Sequence, residues 1–160
     1  MAITNKDIKA QLAWQELCKR ISAASTILIN ENEADRKKRI TWLLGDYERF
    51  CTYYFEHYCS AKMGWFQLEA AKTVIEDRDC FLVMEWAREH AKTVHACVLM
   101  PMYLKAIAIY NGTNDFSGMI LSSCNADKAD GLLGDVQAEM VSNHRYIQDF
   151  GAQKGIVCSL

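Results

Sequence analysis

The stretch "FLVMEWAREHAKTVHAC", Phe81 to Cys97, passes from an apolar run through a charged turn carrying Lys92 and Thr93 into residues of helical composition. With Cys80 it begins "CFLVME", a continuous apolar run without alternation, which predicts a strand covered on both faces, as in a parallel sheet. A helix that starts after such a strand leaves several backbone N–H groups free and carries partial positive charge at its amino end. A lysine in its first turn adds a full charge for the β and γ phosphates of a nucleotide, and the hydroxyl that follows can ligand Mg²⁺. Lys92 and Thr93 stand in those two places. The usual pattern, G-x-x-x-x-G-K-[ST], puts glycine at positions 86 and 91, where this chain has Trp86 and Ala91. Glycine serves there because it permits positive φ and close backbone approach. Spacing therefore leaves two readings open: a phosphate loop without its glycines, or an ordinary strand, turn and helix with an exposed lysine.

Downstream, "TVHACVLMPMYLKAIAIYN" predicts a helix of about twenty residues. Pro101, the sole proline, removes one backbone donor and is expected to distort that helix near Val98. "NGTNDFSG" reads as a turn and "MILSSC" as a second buried strand. Asn125 can cap a further helix from about Ala126 to Val141, and Gly131 and Gly134 inside it leave that helix dependent on packing. Strand, helix, strand, helix in this order predicts an α/β core with a parallel sheet.

Upstream the reading is helical. Thr4 and Asp7 suggest a helix start, followed by Ile8, Leu12, Leu17 and Ile21 at helical intervals. "NENEADRKKR" suggests a loop leading into a second helix near Ala34. From Ile40 through Leu43, Tyr47, Phe50, Cys51 and Tyr54 to Tyr58, apolar and aromatic residues recur at three and four, which predicts one broad buried face. Met63 and Gly64 should break the chain before "WFQLEAAKTVIED", a third helix. The expected organisation is a helical region over 1–78 and an α/β region over 79–160.

With 160 residues, half of them apolar, the chain can bury one substantial core. Eighteen basic against twenty acidic side chains leave no global positive field, so any contact with nucleic acid must come from a local patch. The densest basic run, Arg36 to Arg39, sits among Glu31, Glu33 and Asp35 and reads as a solvated face. No basic start with an apolar run marks a signal peptide, and no stretch of about eighteen apolar residues suggests a membrane span, so a soluble, cytoplasmic protein is expected. Seven cysteines without a Cys-x-x-Cys pair read as reduced thiols, and Cys51, His57 and Cys59 read as part of an aromatic helix rather than as metal ligands.

The segment "WAREHAKT" resembles the deviant Walker A loop of the large terminase subunits of tailed bacteriophages, ATP-driven motors that pump DNA into procapsids. The likeness extends upstream over "FCTYYFEHYCSAKMGWFQLEAA" and downstream over "MILSSCNADKADGLLGDVQAEMVSNHRYIQDFG", about residues 47 to 155 in all. It implies a partial P-loop NTPase-like sheet (β-α-β-α) behind the helical region, with ATP and Mg²⁺ as ligands. It further implies that Lys92 contacts the β and γ phosphates, that Thr93 helps hold Mg²⁺ and that Arg88 reaches the γ phosphate as the catalytic arginine. Backbone N–H groups from Glu89 through His90 and Ala91 to Thr93 would cradle the phosphates. Glu89 stands where the family often has glycine, and its carboxylate would repel a triphosphate unless turned aside; His90 reads as a loop residue rather than a general base. Double-stranded DNA, a small terminase subunit and a portal protein are the implied partners of the intact protein. After Cys124 no apolar run ends in paired carboxylates, so neither a Walker B motif nor a nuclease site is visible up to Leu160. The expectation is an amino-terminal piece of a larger terminase or a shortened gene product, binding nucleotide weakly and hydrolysing it poorly by itself, with a tendency to self-associate. The competing expectation is an interaction module that binds no nucleotide.

Overall fold

The computed structural model describes residues 5–152, and among them every regular element is helical. The capping role expected of Thr4 and Asp7, and the stretch at 153–160 with Cys158, lie outside what it describes. The elements are α1 (Asn5–Ala24), α2 (Glu33–Leu44), α3 (Tyr47–Tyr54), α4 (Trp65–Glu76), α5 (Lys92–Asn111), α6 (Ala126–Ser142) and α7 (His144–Phe150). They form two compact units, residues 29–120 and, from the two ends of the chain, 1–28 with 121–160. The expected boundary after residue 78 falls inside the first of these, in the turn that follows α4.

In the unit of residues 29–120 the helices begin and end where local chemistry directs. Asn32 caps α2 by accepting from Asp35 N at 2.9 Å. The aromatic run expected to be one helix is two, because Asp46 is extended and accepts from Arg49 N at 2.8 Å, capping a new helix after Gly45. Their shared face is buried as its spacing requires: Ile40, Leu43, Tyr47, Phe50, Cys51 and Tyr54. Phe50 sits at the centre, its ring 4.8 Å from Tyr54, 5.9 Å from Phe55 and 4.9 Å from Tyr103 of α5. Beside this core Glu31 and Arg39 form a mostly buried two-bond ion pair, with contacts of 2.8 and 2.6 Å. Arg39 is therefore committed within the protein, and Lys38 lies 3.6 Å from Asp35.

Helix α5 packs on α2, α3 and α4 and carries the distortion expected of Pro101. Residues His95–Leu99 form a π-helical turn, which opens the backbone just where the proline ring would meet the carbonyl one turn earlier. Among the described helices α5 has the length and apolarity of a bilayer span, but Val98, Leu99, Met100, Met102, Tyr103, Ala106 and Ala108 are buried, as in a core helix.

The second unit pairs α1 with α6 and seats α7 against the end of α6. Asn125 caps α6 through Lys128 N at 2.9 Å, as its sequence context implies. At Gly134 the α6 backbone meets α1, its carbonyl accepting from the Trp14 indole at 3.1 Å. Asn143 closes α6 and opens α7, accepting from Tyr146 N at 3.1 Å while its amide donates to buried Glu139 at 2.9 Å.

The α/β expectation is corrected. No strand occurs among the described residues, so the partial P-loop NTPase-like parallel sheet (β-α-β-α) is not formed. "CFLVME" and "MILSSC" are irregular, and Phe81, Val83 and Ile120 are exposed to 94%, 67% and 97%. A strand exists only when its N–H and C=O groups meet a neighbour, and an isolated pair is marginal in water. The burial expected of both runs is overturned with the strands, since no described residue of the chain forms a ladder with either run.

Candidate functional site

The expected phosphate loop lies between the irregular run at 80–87 and the first turn of α5. Arg88, Glu89, His90, Ala91, Lys92 and Thr93 are consecutive and all exposed, so the loop is open to solvent. Its backbone is unusual. Glu89 has φ 68° and Ala91 φ 55°, and these are two of three non-glycine residues with positive φ among those described, the third being Asn30. Each left-handed non-glycine residue costs about 1 to 2 kcal/mol, so the surroundings must hold it. Position 91 is where the phosphate-loop pattern asks for glycine, and position 89 is where the resembling family often has it. The conformation that glycine would supply is present at both, on a glutamate and an alanine.

Ala91 also opens α5 without any side-chain cap, whereas Asn32, Asp46, Asn125 and Asn143 cap α2, α3, α6 and α7. The first intrahelical bond runs from His95 N to Ala91 O at 2.9 Å, which leaves the amides of the first turn without a capping acceptor. Lys92 reaches back across the loop, its Nζ donating to Trp86 O at 3.3 Å. The lysine is thus drawn toward the loop rather than extended from it, closing residues 86–92 into a ring. Thr93 offers one exposed hydroxyl. No cluster of three or more His, Cys, Asp or Glu side chains suited to a metal occurs among the described residues.

The loop is held from below by α4 and α5. Phe66 stands edge-on to Trp86 at 5.1 Å and to His90 at 5.3 Å, and Trp86 lies 5.9 Å from the His95 ring. Gly64 makes room for this arrangement, since a Cβ there would come within 2.7 Å of the Phe66 ring. Gln67 Nε2 donates to His90 O at 3.0 Å. One hydrogen bond is worth about 1 kcal/mol net and an edge-on aromatic pair about the same, and these contacts brace Trp86 and His90, the latter directly before Ala91.

His95, buried in the π-helical turn, shares a hydrogen bond of 3.1 Å with the Tyr47 hydroxyl. Burial lowers its pKa below the ordinary imidazole value and raises that of Tyr47, which also meets the Cys51 thiol. Burial likewise lifts Cys51 well above the usual thiol range and Cys59 to about 11, so both are protonated, unreactive thiols at neutral pH. Of these, His95 reaches the loop, through its ring contact with Trp86.

Phe66, Gln67 and His95 were not anticipated as parts of the site. The Gly64 to Gln67 spacing signals a helix cap, but nothing local in the sequence ties Gln67 to a carbonyl 23 residues away. No protein-family model, curated protein or solved structure matches the chain.

Proposed function

We propose that the chain carries the phosphate-binding loop of a terminase-type ATPase, whose intact form drives double-stranded DNA into a procapsid. The observation that carries this reading is the left-handed backbone at Glu89 and Ala91, directly before an uncapped helix start bearing Lys92. Successive amides in such a conformation make an anion-binding concavity. Lys92 supplies the charge for the β and γ phosphates in exchange for its bond to Trp86 O, and Thr93 meets the Mg²⁺ that accompanies them. Arg88, exposed at the outer end of the loop, is the side chain assigned to the γ phosphate. Bound Mg²⁺ would neutralise phosphate charge, and the chain's own contribution is to orient the triphosphate. A small terminase subunit and a portal protein are the partners this reading brings with it.

Titration of a fluorescent ATP analogue with Mg²⁺ against the 160-residue chain tests the proposal. Saturable binding that weakens about tenfold or more in Lys92→Ala is expected, the loss of roughly one charge-assisted contact. Absence of binding in the wild type overturns it. A second reading, an interaction module without nucleotide, is favoured by the exposure of Phe81, Val83 and Ile120, since apolar surface of that kind invites association. Self-association with no nucleotide binding would select it.

A further inference from the structure

Gln67 is bonded at both ends of its carboxamide. Its Oε1 accepts from Gly64 N at 2.8 Å, closing the amino end of α4, and its Nε2 donates to His90 O at 3.0 Å. The His90 carbonyl and the Ala91 N–H belong to one planar trans peptide and point in opposite directions. Holding the carbonyl toward α4 therefore turns the Ala91 N–H away from α4. Rotation of that same peptide is what would change φ at Ala91, so the bond to Gln67 and the left-handed conformation of Ala91 are one constraint seen from two sides. Phe66, the residue before Gln67, holds the His90 ring and Trp86 in the same register.

We propose that Gln67 is a positioning residue of the loop: its carboxamide fixes the 90–91 peptide so that Ala91, although not glycine, presents its N–H to the phosphate side. This rests on the phosphate-loop reading for its purpose, but the peptide orientation can be measured without nucleotide. A glycine at 91 would reach the conformation unaided. In this chain the side chain of a neighbouring helix does that work.

Gln67→Glu separates the two bonds, because a carboxylate still accepts from Gly64 N but cannot donate to His90 O. The expected result in the ligand-free protein is a thermal midpoint within about 2 °C of wild type, together with loss of the positive φ at Ala91 in backbone HN–Hα and Hα–C′ couplings. Gln67→Ala, which lacks both bonds, should lose the positive φ as well. Nucleotide affinity should fall about tenfold in Gln67→Glu and return to within about threefold of wild type when Ala91→Gly is added, since glycine restores the conformation without the bond. Positive φ retained at Ala91 in both single variants overturns the proposal, whatever happens to binding. Wild-type protein that binds no nucleotide overturns the phosphate-loop reading alone, and the couplings still decide whether Gln67 holds the peptide.

Discussion

The aromatic, amphipathic run of α3 and the continuous apolar run Phe81–Met84 both carry large apolar side chains and end at opposite burial. Phe50 and Tyr54 are sealed between α2 and α5, whereas Phe81 and Val83 are largely in water. A helix satisfies its own backbone and needs a neighbour only for its side chains, so α3 could form and then pack. A strand needs a neighbour for its backbone before its side chains can be covered at all. Large apolar side chains thus produced a core where they recur along a helix, and an exposed irregular segment where they run on without a partner strand.

The largest expected effect tests that contrast directly. Phe50→Ala should destabilise the chain by about 3 to 5 kcal/mol in urea unfolding, while Phe81→Ser should change stability by less than about 0.5 kcal/mol. Comparable losses at the two positions would mean that Phe81 is covered in solution, and the contrast would collapse. The loop sits between the two regions, with Trp86 touching core His95. Because burial lowers the His95 pKa in the folded chain, the unfolded chain binds more protons below the ordinary imidazole range. Stability from this group is therefore full above about pH 6.5 and is lost as pH falls from there toward the lowered folded value. The slope between pH 7 and 5.5 should shrink in His95→Phe, measured by thermal unfolding; an unchanged slope would place the imidazole in water. The smallest effect is expected on the exposed side. Glu89→Gly removes both a left-handed side chain and a carboxylate from the loop, so it should raise stability by about 1 kcal/mol or less and tighten binding of the ATP analogue several-fold. Weaker binding in that variant would mean that the carboxylate serves the ligand rather than opposing it.

Much of the helical architecture was legible. Asn125, the Met63-Gly64 break and the position of Pro101 each act within a few residues, and the structure bears out a cap, a boundary and a π-helical turn there. The break between α2 and α3 was also written locally, in Gly45-Asp46, but the unbroken aromatic periodicity across it masked the signal. The sheet was not legible, because an apolar run states a preference for burial and says nothing about whether a partner is present. In the loop, spacing singled out Lys92 and Thr93, the resemblance added Arg88 to Ala91, and glycine's positive φ at 91 could be stated as the pattern's requirement. That an alanine would adopt it could not, since the groups that hold it come from α4 and from the buried face of α5.

The sequence by itself determined where helices start and stop, which faces of them are apolar, and that a lysine and a threonine open α5 after an apolar run. Those features depend on interactions spanning three or four residues. Only the tertiary structure decided that the apolar runs would lack a ladder, and that Glu89 and Ala91 would take glycine's conformation. Both outcomes depend on groups far away in the chain: a strand's missing neighbour in the first case, and the Gln67 carboxamide and Phe66 ring in the second.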